Sequence, residues 1–444
     1  MSGAEVDAAS DDASRHACRP SRTGLSSALV RLKVLASLSA AGGSALAALW
    51  TFPTLLASAF LVAWGAEAAQ FLISQGLALA VLAWLQTAPE FAVEAVIAWD
   101  AGREPARAQL AIANLTGAIR LLLGFGWPLV YGVYAVASRR RGGPALPTIT
   151  LQREHAVEVL ALIPVLLYFG IILAKGSFGA GDAAVLTAMY GGYLWLLAGH
   201  PPHAVEQAAD APAVSRWALR QQPGWRRRAA IGGLFAAGGA LLFVTAHPFL
   251  ESMLAVAAIL GIGEFFLVQW VAPFLSEFPE MVSTVAWARR VKPAPLALMN
   301  LVSSNINQWT VLAAMIPLVF GYSHWHHHGT WTAFHFDRAQ QLELVLTLLQ
   351  TGLGVLLLAT LEFGAPAAGL LFLLWLVQFL LPDWRGAVAW AYGAWMAVLV
   401  ILFVTRRVPL RAPAAFRETM RQKHDRPAPR MAGRPTGKGN EEDY

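Results

Sequence analysis

The sequence predicts an all-α protein that crosses a membrane many times, and three observations support this fold class. Of its 444 residues, 57% are apolar or aromatic and only 14% are charged, which is too few charges for the surface of a soluble protein. Apolar blocks of roughly 20 residues, the length that a helix needs to cross the hydrocarbon layer, recur from about Val34 to Thr405. No segment shows the alternating pattern of a strand, so the backbone in lipid must satisfy its hydrogen bonds within helices.

The apolar blocks, taken in order, predict 11 or 12 transmembrane helices, because the first two blocks share one apolar stretch. Short Arg-rich or Gly/Pro-rich segments separate the blocks and mark their ends. The predicted spans lie near residues 33–50, 52–71, 75–100, 107–137, 154–174, 183–199, 229–249, 260–288, 294–321, 340–361, 365–381 and 386–405.

The distribution of basic residues indicates the orientation of these helices. The net charge is +6, but no basic stripe is interleaved with aromatic residues, so we predict the lipid bilayer as the partner and no nucleic acid. All basic clusters fall on one side of the predicted spans, which the positive-inside rule assigns to the cytoplasm. The clusters are Arg139–Arg141 with Arg153, Arg216–Arg228, Arg289–Lys292 and the tail from Arg406 onward.

One internal repeat organises the chain. The segment Leu85–Phe91 reads LQTAPEF, and Leu275–Met281 reads LSEFPEM. About 20 residues later each copy carries an Asn-Leu pair, within Ala113–Gly117 and Met299–Ser303, and then a Gly/Pro-bearing apolar run, GFGWPLV or AAMIPLV. Four predicted spans separate the two Pro-Glu helices, so the copies enter the membrane in opposite orientations. Inverted repeats of this kind are a known construction of secondary transporters, with the site where the halves meet.

The repeat divides the chain into regions. We predict two inverted five-helix repeats plus extra terminal helices, flanked by polar tails. The single cysteine, Cys18, lies in the first tail, which excludes a disulfide framework or a cysteine-based metal site. The predicted regions are a disordered cytoplasmic tail (1–32), a first repeat with an extra N-terminal helix (33–200), a cytoplasmic linker (201–228), a second repeat (229–382), an extra transmembrane helix (383–406) and a basic disordered tail (407–444).

Glu90 and Glu280 are the strongest candidates for a site. Each follows a proline in the middle of a long apolar segment, where an ionised carboxylate is costly unless it pairs or binds a cation. Because a proline removes a backbone hydrogen bond and tends to break the helix, carbonyl oxygens are expected beside each carboxylate. Such all-oxygen surroundings suit hard cations such as Ca²⁺ or Na⁺. The alternative is a pair of glutamates that only join helices.

These segments resemble the α-repeats of the cation/calcium exchanger superfamily, which includes sodium/calcium and proton/calcium antiporters. The family's repeats carry G-T-S-x-P-E in one helix and G-N-x-x-G-S-N in the next, and the likeness covers roughly residues 52–382. The positions that match are Pro89-Glu90 and Pro279-Glu280, the hydroxyl residues Thr87 and Ser276, the asparagines Asn114 and Asn300, and the later pair Ser304-Asn305. The resemblance implies that the two glutamates and neighbouring hydroxyls ligate Ca²⁺, with Asn305 among the ligands and Asn114, Asn300 and Ser304 behind them. It also implies transported Ca²⁺, Na⁺ or H⁺ and no cofactor.

Three departures from the family pattern carry information. Its motif glycine is Leu85 in one repeat and Leu275 in the other, and its serine is Glu277 in the second repeat, which adds a third carboxylate. Its later asparagine is Ile119 in the first repeat, followed by Arg120. We hypothesise that Arg120 pairs with Glu277 or Glu94 and replaces one sodium site, which would favour fewer transported ions or proton coupling. Alternatively, these charges line water outside the pathway.

The other acidic residues in the spans carry weaker signals. Glu94 lies four residues after Glu90 and shares its helix face, which allows a supporting role, a proton relay or simple solvation. Glu67, Glu251 and Glu264 are expected near helix ends, where the side chains reach the interface.

A His-rich loop supplies a possible secondary metal site. His324, His326, His327 and His328 offer imidazoles that suit Zn²⁺, Ni²⁺ or Cu²⁺, although a solvated or pH-responsive loop has the same composition. Membrane desaturases have similar histidine boxes but need several of them, and His200 and His203 lie in a loop on the opposite face. A metal-dependent membrane enzyme is therefore disfavoured.

The function that the sequence predicts is secondary antiport of small cations, exchanging Ca²⁺ for Na⁺ or H⁺ by alternating access, in a protein that is not an enzyme. Because several family residues are missing, a transport-incompetent relative with a sensing or scaffolding role is the alternative. The Ala/Gly/Arg-rich composition is associated with a bacterial inner membrane.

Overall fold

The computed structural model describes residues 45–69, 71, 87–197 and 211–424. The predicted first tail with Cys18, most of the first predicted span, Leu85, the histidines His200 and His203 and the chain beyond His424 lie outside the described residues.

The first half of the molecule consists of apolar helices. The helices are α1 (Ala48–Ala69), α2 (Ala88–Arg103), α3 (Ala108–Leu121), α4 (Trp127–Arg140), α5 (Ala156–Lys175) and α6 (Ala180–Leu197). A π-helical turn, Leu122–Gly126, joins α3 and α4 into one continuous helix from Ala108 to Arg140.

The second half repeats this arrangement after a short helix, α7 (Ala213–Leu219). The helices are α8 (Gly224–Leu260), α9 (Glu264–Arg289), α10 (Ala294–Asn307), α11 (Ala313–His328), α12 (Arg338–Leu358) and α13 (Ala365–Leu380), followed by the additional helices α14 (Arg385–Val404) and α15 (Ala412–His424). A π-helical turn, Gln308–Leu312, again joins two of them, α10 and α11.

The observed helices confirm a polytopic all-α membrane protein with two inverted repeats. Within the described residues, 6 helical segments are long and apolar enough to cross a membrane, and α13 is a shorter apolar helix. From residue 87 onward every predicted span coincides with helices of the structure, and the described part of the span at 52–71 lies in α1. The two π-helical turns are offset by the same 186 residues that separate Asn114 from Asn300, so the repeats match in local backbone geometry as well as in sequence.

Two short antiparallel strand pairs follow the same symmetry between the two repeats. Strand β1 (Ile149–Thr150), after α4, pairs with β4 (Glu362–Phe363), after α12. Strand β2 (Ser177–Phe178), after α5, pairs with β3 (Phe334–His335), after α11. Each ladder joins a loop of one repeat to a loop of the other, and exchanging the repeats turns one ladder into the other. The first ladder lies on the face with the basic clusters and the second on the opposite face, as inverted repeats require.

Two predicted features of the second half are wrong. Helix α9 runs through Pro273 and Pro279 without a break, because neighbouring helices in a membrane protein can compensate for the hydrogen bond that a proline removes. Helix α8 extends from Gly224 to Leu260 and is therefore longer than the predicted span 229–249.

Part of the predicted disordered tail is also helical. Helix α15 buries Ala412 and Ala415, and the backbone N–H of Ala412 donates to the carbonyl of Ala359 at 2.9 Å. Arg153 pairs with Glu418 at 2.7 Å across the surface. A segment with small apolar residues on one face can dock on the end of the helix bundle that carries the basic clusters, even when its overall composition is polar.

The centre of the molecule is formed by helices from both halves. Helix α9 packs against α3 and α4, and in the equivalent arrangement α2 packs against α3 and α11. The long helices α1 and α8 lie along each other beside this centre. A close approach at Gly117 sets the spacing, because a Cβ at this position would lie 1.8 Å from the carbonyl oxygen of Gln269 on α9.

We predict that Gly117→Ala lowers the thermal unfolding midpoint of the purified protein, because the added methyl group forces α3 away from α9, and overpacking of this kind costs about 1–3 kcal/mol or more. Gly191→Ala on α6 is the matched control, since nothing lies within 4 Å of its Cβ position. Equal midpoints for the two variants would contradict a contact that fixes the spacing of α3 and α9.

Candidate cation site

Three carboxyl groups meet at the centre of the molecule. Glu90 lies in the first turn of α2, and Glu277 and Glu280 lie one turn apart in the middle of α9. All three side chains are buried, at 2%, 3% and 5% exposure. Both Pro-Glu helices pack against α3 and also contact each other, which brings glutamates of both repeats together, as the sequence predicts.

The three carboxyl groups form a contiguous cluster. Glu277 lies in the middle, close enough to Glu90 on one side and to Glu280 on the other for the carboxyl groups to interact. Among the described residues, no basic side chain forms an ion pair with any of the three. Since like charges in contact cannot all be ionised in a buried site, the cluster must hold protons or a cation between its oxygens.

Gln308 joins the cluster from the second repeat. Its Nε2 donates to both carboxyl oxygens of Glu90 at 3.2 Å and to Oε1 of Glu277 at 2.7 Å. It is the first residue of the π-helical turn after α10, which places it between α2 and α9. Sequence analysis missed Gln308, although the polar run from Ser303 to Gln308 inside an apolar helix is a signal that could have identified it.

Glu280 is held by the two residues that its own repeat predicts. The Oε1 atom of Glu280 accepts from Asn300 Nδ2 at 2.7 Å and from Ser304 Oγ at 2.6 Å. These donors lie one helical turn apart on α10 and so present adjacent groups to the same oxygen. Both residues therefore hold the carboxyl group of Glu280 in position, in the supporting place that the family resemblance implies.

Asn305 lies where the two repeats cross. Its Nδ2 donates to the carbonyl of Ile119 at 3.4 Å and to Gln308 Oε1 at 3.1 Å. Because Asn305 and Ile119 occupy equivalent positions in the two repeats, their contact marks the pseudo-two-fold relation between α3 and α10. The Oδ1 atom of Asn305 is buried without a hydrogen-bond partner among the described residues, so it is an open acceptor.

The remaining predicted residues of the first repeat lie beside the cluster. Asn114 donates to Glu94 at 2.7 Å, whereas its repeat equivalent Asn300 donates to the glutamate after the proline. Thr87 accepts from Asn307 at 2.5 Å. One oxygen of Glu94 and the Oδ1 of Asn307 are also buried acceptors without a partner among the described residues. Hard cations prefer such carboxylate and amide oxygens.

The hydroxyl of Ser276 donates within its own helix rather than to the carboxyl cluster. Ser276 lies on α9, and its Oγ donates to the carbonyls of Ala272 and Pro273 at 3.1 and 3.2 Å. Its hydroxyl proton is therefore used within its own helix, and only the oxygen lone pairs are left for a ligand.

The predicted pairing of Arg120 with Glu277 or Glu94 is wrong. Arg120 is fully buried, and its Nη2 lies 2.5 Å from Oε2 of Glu343 on α12. The side chain of Arg120 points away from the carboxyl cluster because its Nε also donates to the carbonyl of Thr116, one turn earlier on the same helix, at 3.1 Å.

A second buried polar network surrounds Glu343. Arg385, at the start of α14, donates to the other oxygen of Glu343 at 2.7 Å and to Gln269 at 2.9 Å. Gln269 in turn donates to Glu343 at 2.9 Å, and Gln378 on α13 accepts from Arg120 at 3.0 Å. Sequence analysis missed Glu343 and Arg385, because both lie near predicted helix ends, where charges are ordinary. Unlike the carboxyl cluster, this network contains its own counter-charges.

Glu67 and Glu251 also differ from the expectation that they reach the membrane interface. Glu67 is buried and accepts from Ser283 at 2.8 Å and from Ser215 at 3.2 Å, which ties α1 to α9 and α7. Glu251 lies inside α8 and pairs with Arg107 at 3.2 Å. Glu264, in contrast, is exposed at the first turn of α9, as expected.

Among the described residues, one group of three side chains has the geometry of a possible metal site, and Arg107 pairs with both of its carboxylates. The ligand atoms of Asp100, His247 and Glu251 lie within 4.8 Å of one another. Arg107 Nη1 lies 3.3 Å from Asp100 and 3.2 Å from Glu251, and its Nε lies 2.8 Å from Glu104. The guanidinium thus already stands where a metal ion would bind these carboxylates.

The predicted secondary metal site is not assembled from the described histidines, because they do not bring three ligand atoms together. His324 lies 2.7 Å from a backbone carbonyl of the loop after α11, His327 lies 2.8 Å from one in the last turns of α11, and His328 lies 3.2 Å from one at the end of α2. His326 packs beside the ring of Trp99. These contacts secure the ends of the two helices.

Comparisons with known proteins place this geometry in context. A family model described as sodium/calcium exchanger protein matches residues 32–199 and 231–408. A solved structure of the H⁺/Ca²⁺ exchanger CAX is 28% identical, with a TM-score of 0.75, over 88% of this chain and 98% of that chain. Structures of the sodium-calcium exchanger NCX_Mj, soaked with Na⁺ and Sr²⁺, are 16% and 17% identical, with TM-scores of 0.48 and 0.47, over 78% of this chain and 99% of those chains. No curated protein sequence matches the chain.

We predict that Glu343→Gln destabilises the protein strongly, because it leaves two guanidinium groups without a counter-charge; breaking a buried ion pair costs about 3–5 kcal/mol. Arg120→Met should cost less, since Glu343 keeps Arg385, and the double variant should recover part of the loss. Thermal unfolding of the four proteins in detergent measures this coupling. Strictly additive effects of the two substitutions would show that Arg120 and Glu343 do not act as a pair.

Proposed function

The chain belongs to the sodium/calcium exchanger protein family, and we propose that it is an antiporter that exchanges Ca²⁺ for protons at the buried carboxyl cluster. The family consists of transporters rather than enzymes, and the inverted repeats suit a mechanism in which access alternates between the two faces of the membrane. The resemblance to the H⁺/Ca²⁺ exchanger, at 28% identity and a TM-score of 0.75, supports the proton as the coupling ion. The composition supports a bacterial inner membrane as the location.

The contact between Glu90, Glu277 and Glu280 is the observation that carries the proposal. With no basic partner among the described residues, the cluster needs positive charge from outside the protein, either as protons or as a metal ion. One Ca²⁺ supplies as much charge as two protons, so exchanging them leaves the charge of the buried site unchanged. Exchanging one Ca²⁺ for one or three protons would instead change the charge of a site with low polarity, which is costly.

The proposed ligands of Ca²⁺ are the oxygens of Glu90, Glu277 and Glu280, with the open acceptor of Asn305. These are hard oxygen ligands, which Ca²⁺ prefers. Thr87 is a further proposed ligand, and Ser276 would have to turn from its helix carbonyls to join them. Asn114, Asn300, Ser304 and Glu94 are proposed to orient or supplement this set.

The first repeat supports protons over sodium as the counter-ion. Where the second repeat has Asn305, the first has Ile119, whose side chain offers no oxygen. The neighbouring Arg120 carries a permanent positive charge in the same helix, held by Glu343. A sodium site in this half would therefore lack a side-chain ligand at this position.

We predict that Glu90→Gln and Glu280→Gln each abolish ⁴⁵Ca²⁺ uptake into proteoliposomes driven by an outward proton gradient, because each removes a carboxylate that must release protons and accept Ca²⁺. An outward Na⁺ gradient should drive no uptake. Glu418→Gln, at an exposed position on α15, is the control and should retain the wild-type rate.

Uptake that survives both substitutions would place the ion site elsewhere. Absence of uptake in the wild type, combined with Ca²⁺-dependent thermal stabilisation that depends on Glu90 and Glu280, would favour the transport-incompetent sensing relative over an antiporter.

We further predict that Gln308→Leu lowers the rate of Ca²⁺ uptake by roughly tenfold to a hundredfold, because residues that orient ligating carboxylates contribute about this much. Gln308 donates to two glutamates, and leucine of similar size leaves both without that donor. Gln341→Leu on α12 is the control. An unchanged KM and rate for Gln308→Leu would rule out a role for this amide in the site.

A further inference from the structure

A large groove lies between helices of the two repeats, away from the carboxyl cluster. Its volume is about 1140 Å³, and apolar residues of α4 and α13 form its walls. One end is bordered by three arginines, Arg140, Arg141 and Arg289. The apolar wall residues include Phe125, Pro128, Val133, Val136, Ala368 and Phe372.

The arginine end of the groove carries uncompensated positive charge. Among the described residues, no acidic side chain forms an ion pair with any of the three guanidinium groups. Arg141 is fixed in place, since it donates to the backbone carbonyls of Arg290 and Arg289 at 2.6 and 3.3 Å. All three arginines belong to the basic clusters that the positive-inside rule assigns to the cytoplasmic interface.

We propose that this groove binds one anionic phospholipid from the cytoplasmic leaflet, with its phosphate on the arginines and an acyl chain along α4 and α13. Guanidinium groups bind phosphate through paired, charge-assisted hydrogen bonds. Basic pockets between transmembrane helices on the cytoplasmic side are suited to acidic headgroups. A molecule with a phosphate at the interface and an apolar body at the depth of the helices is a bilayer lipid.

The size and shape of the groove agree with an acyl chain. Its volume exceeds the roughly 300–1,000 Å³ that is typical of sites for drug-sized ligands. Two glycines, Gly132 on α4 and Gly369 on α13, line it, and nothing lies within 4 Å of the Cβ position at either. These glycines leave the space open, so larger side chains there would fill the groove without colliding with the protein.

Lipid binding to the full-length protein in detergent tests the proposal. Native mass spectrometry would count retained lipids, and thermal unfolding would report stabilisation by phosphatidylglycerol against phosphatidylcholine with the same acyl chains. We expect phosphatidylglycerol to bind at least about tenfold more tightly. The double variants Arg140→Gln/Arg289→Gln and Gly132→Leu/Gly369→Leu should each weaken that binding about tenfold or more. Arg228→Gln/Arg407→Gln removes two exposed charges of the same face outside the groove and should have no effect.

Three outcomes would overturn the proposal. Equal binding of the two lipids would exclude recognition of the anionic headgroup. Equal loss in the control variant would show a general effect of surface charge. Displacement of phosphatidylglycerol by inorganic phosphate, with no effect of the leucine variants, would indicate a phosphate site without an acyl chain. Unfolding midpoints without added lipid show whether each variant is folded, and the arginine and glycine variants test the two ends of the groove independently.

Discussion

The contact among Glu90, Glu277 and Glu280, with no counter-charge from the described part of the chain, is the constraint on which the central structure depends. A buried carboxylate must be protonated, paired or bound to a cation, and each unpaired charge costs several kcal/mol. The surrounding helices accordingly present neutral amides and hydroxyls, from Gln308, Asn300 and Ser304. These groups can donate to a carboxylate or turn an oxygen toward a cation. A basic side chain in the same place would occupy the site permanently.

The molecule keeps this cluster apart from a second set of buried charges, in which one carboxylate lies between two guanidinium groups. Arg120 and Arg385 lie on either side of Glu343, and Gln378 and Gln269 each accept a further hydrogen bond from them. Because Arg120 is turned toward α12, its charge stays out of the carboxyl cluster although it lies on a helix that borders it. The repeats are therefore symmetric in backbone, down to their π-helical turns, but asymmetric in polarity. The second repeat carries the polar run that reaches Glu90, and the first carries the fixed cation.

The sequence was sufficient to predict the helices, the inverted repeats and the pair of glutamates, because apolar length, basic clusters and repeated Pro-Glu segments are local signals. It did not predict the partner of Arg120, since Glu343 is 223 residues away and only the packing of α3 against α12 brings the two together. Gln308 was missed for a similar reason. Its position depends on the π-helical turn, which shifts the side chains after Asn307 relative to a regular helix and has no distinct sequence pattern. Residues 412–424 were misassigned because composition does not reveal a docking surface.

The same constraint explains why the proposed transport would be coupled rather than a leak. If the carboxyl cluster released Ca²⁺ without gaining protons, three ionised carboxylates would be left together in a buried site. The change of access would then have to take place with these charges uncompensated inside the membrane. A site that changes access only when its three carboxyl charges are compensated would therefore move either with Ca²⁺ and one proton or with three protons. On this argument, coupling requires no separate gate. It follows from burying three carboxyl groups together, with no arginine or lysine paired to them among the described residues.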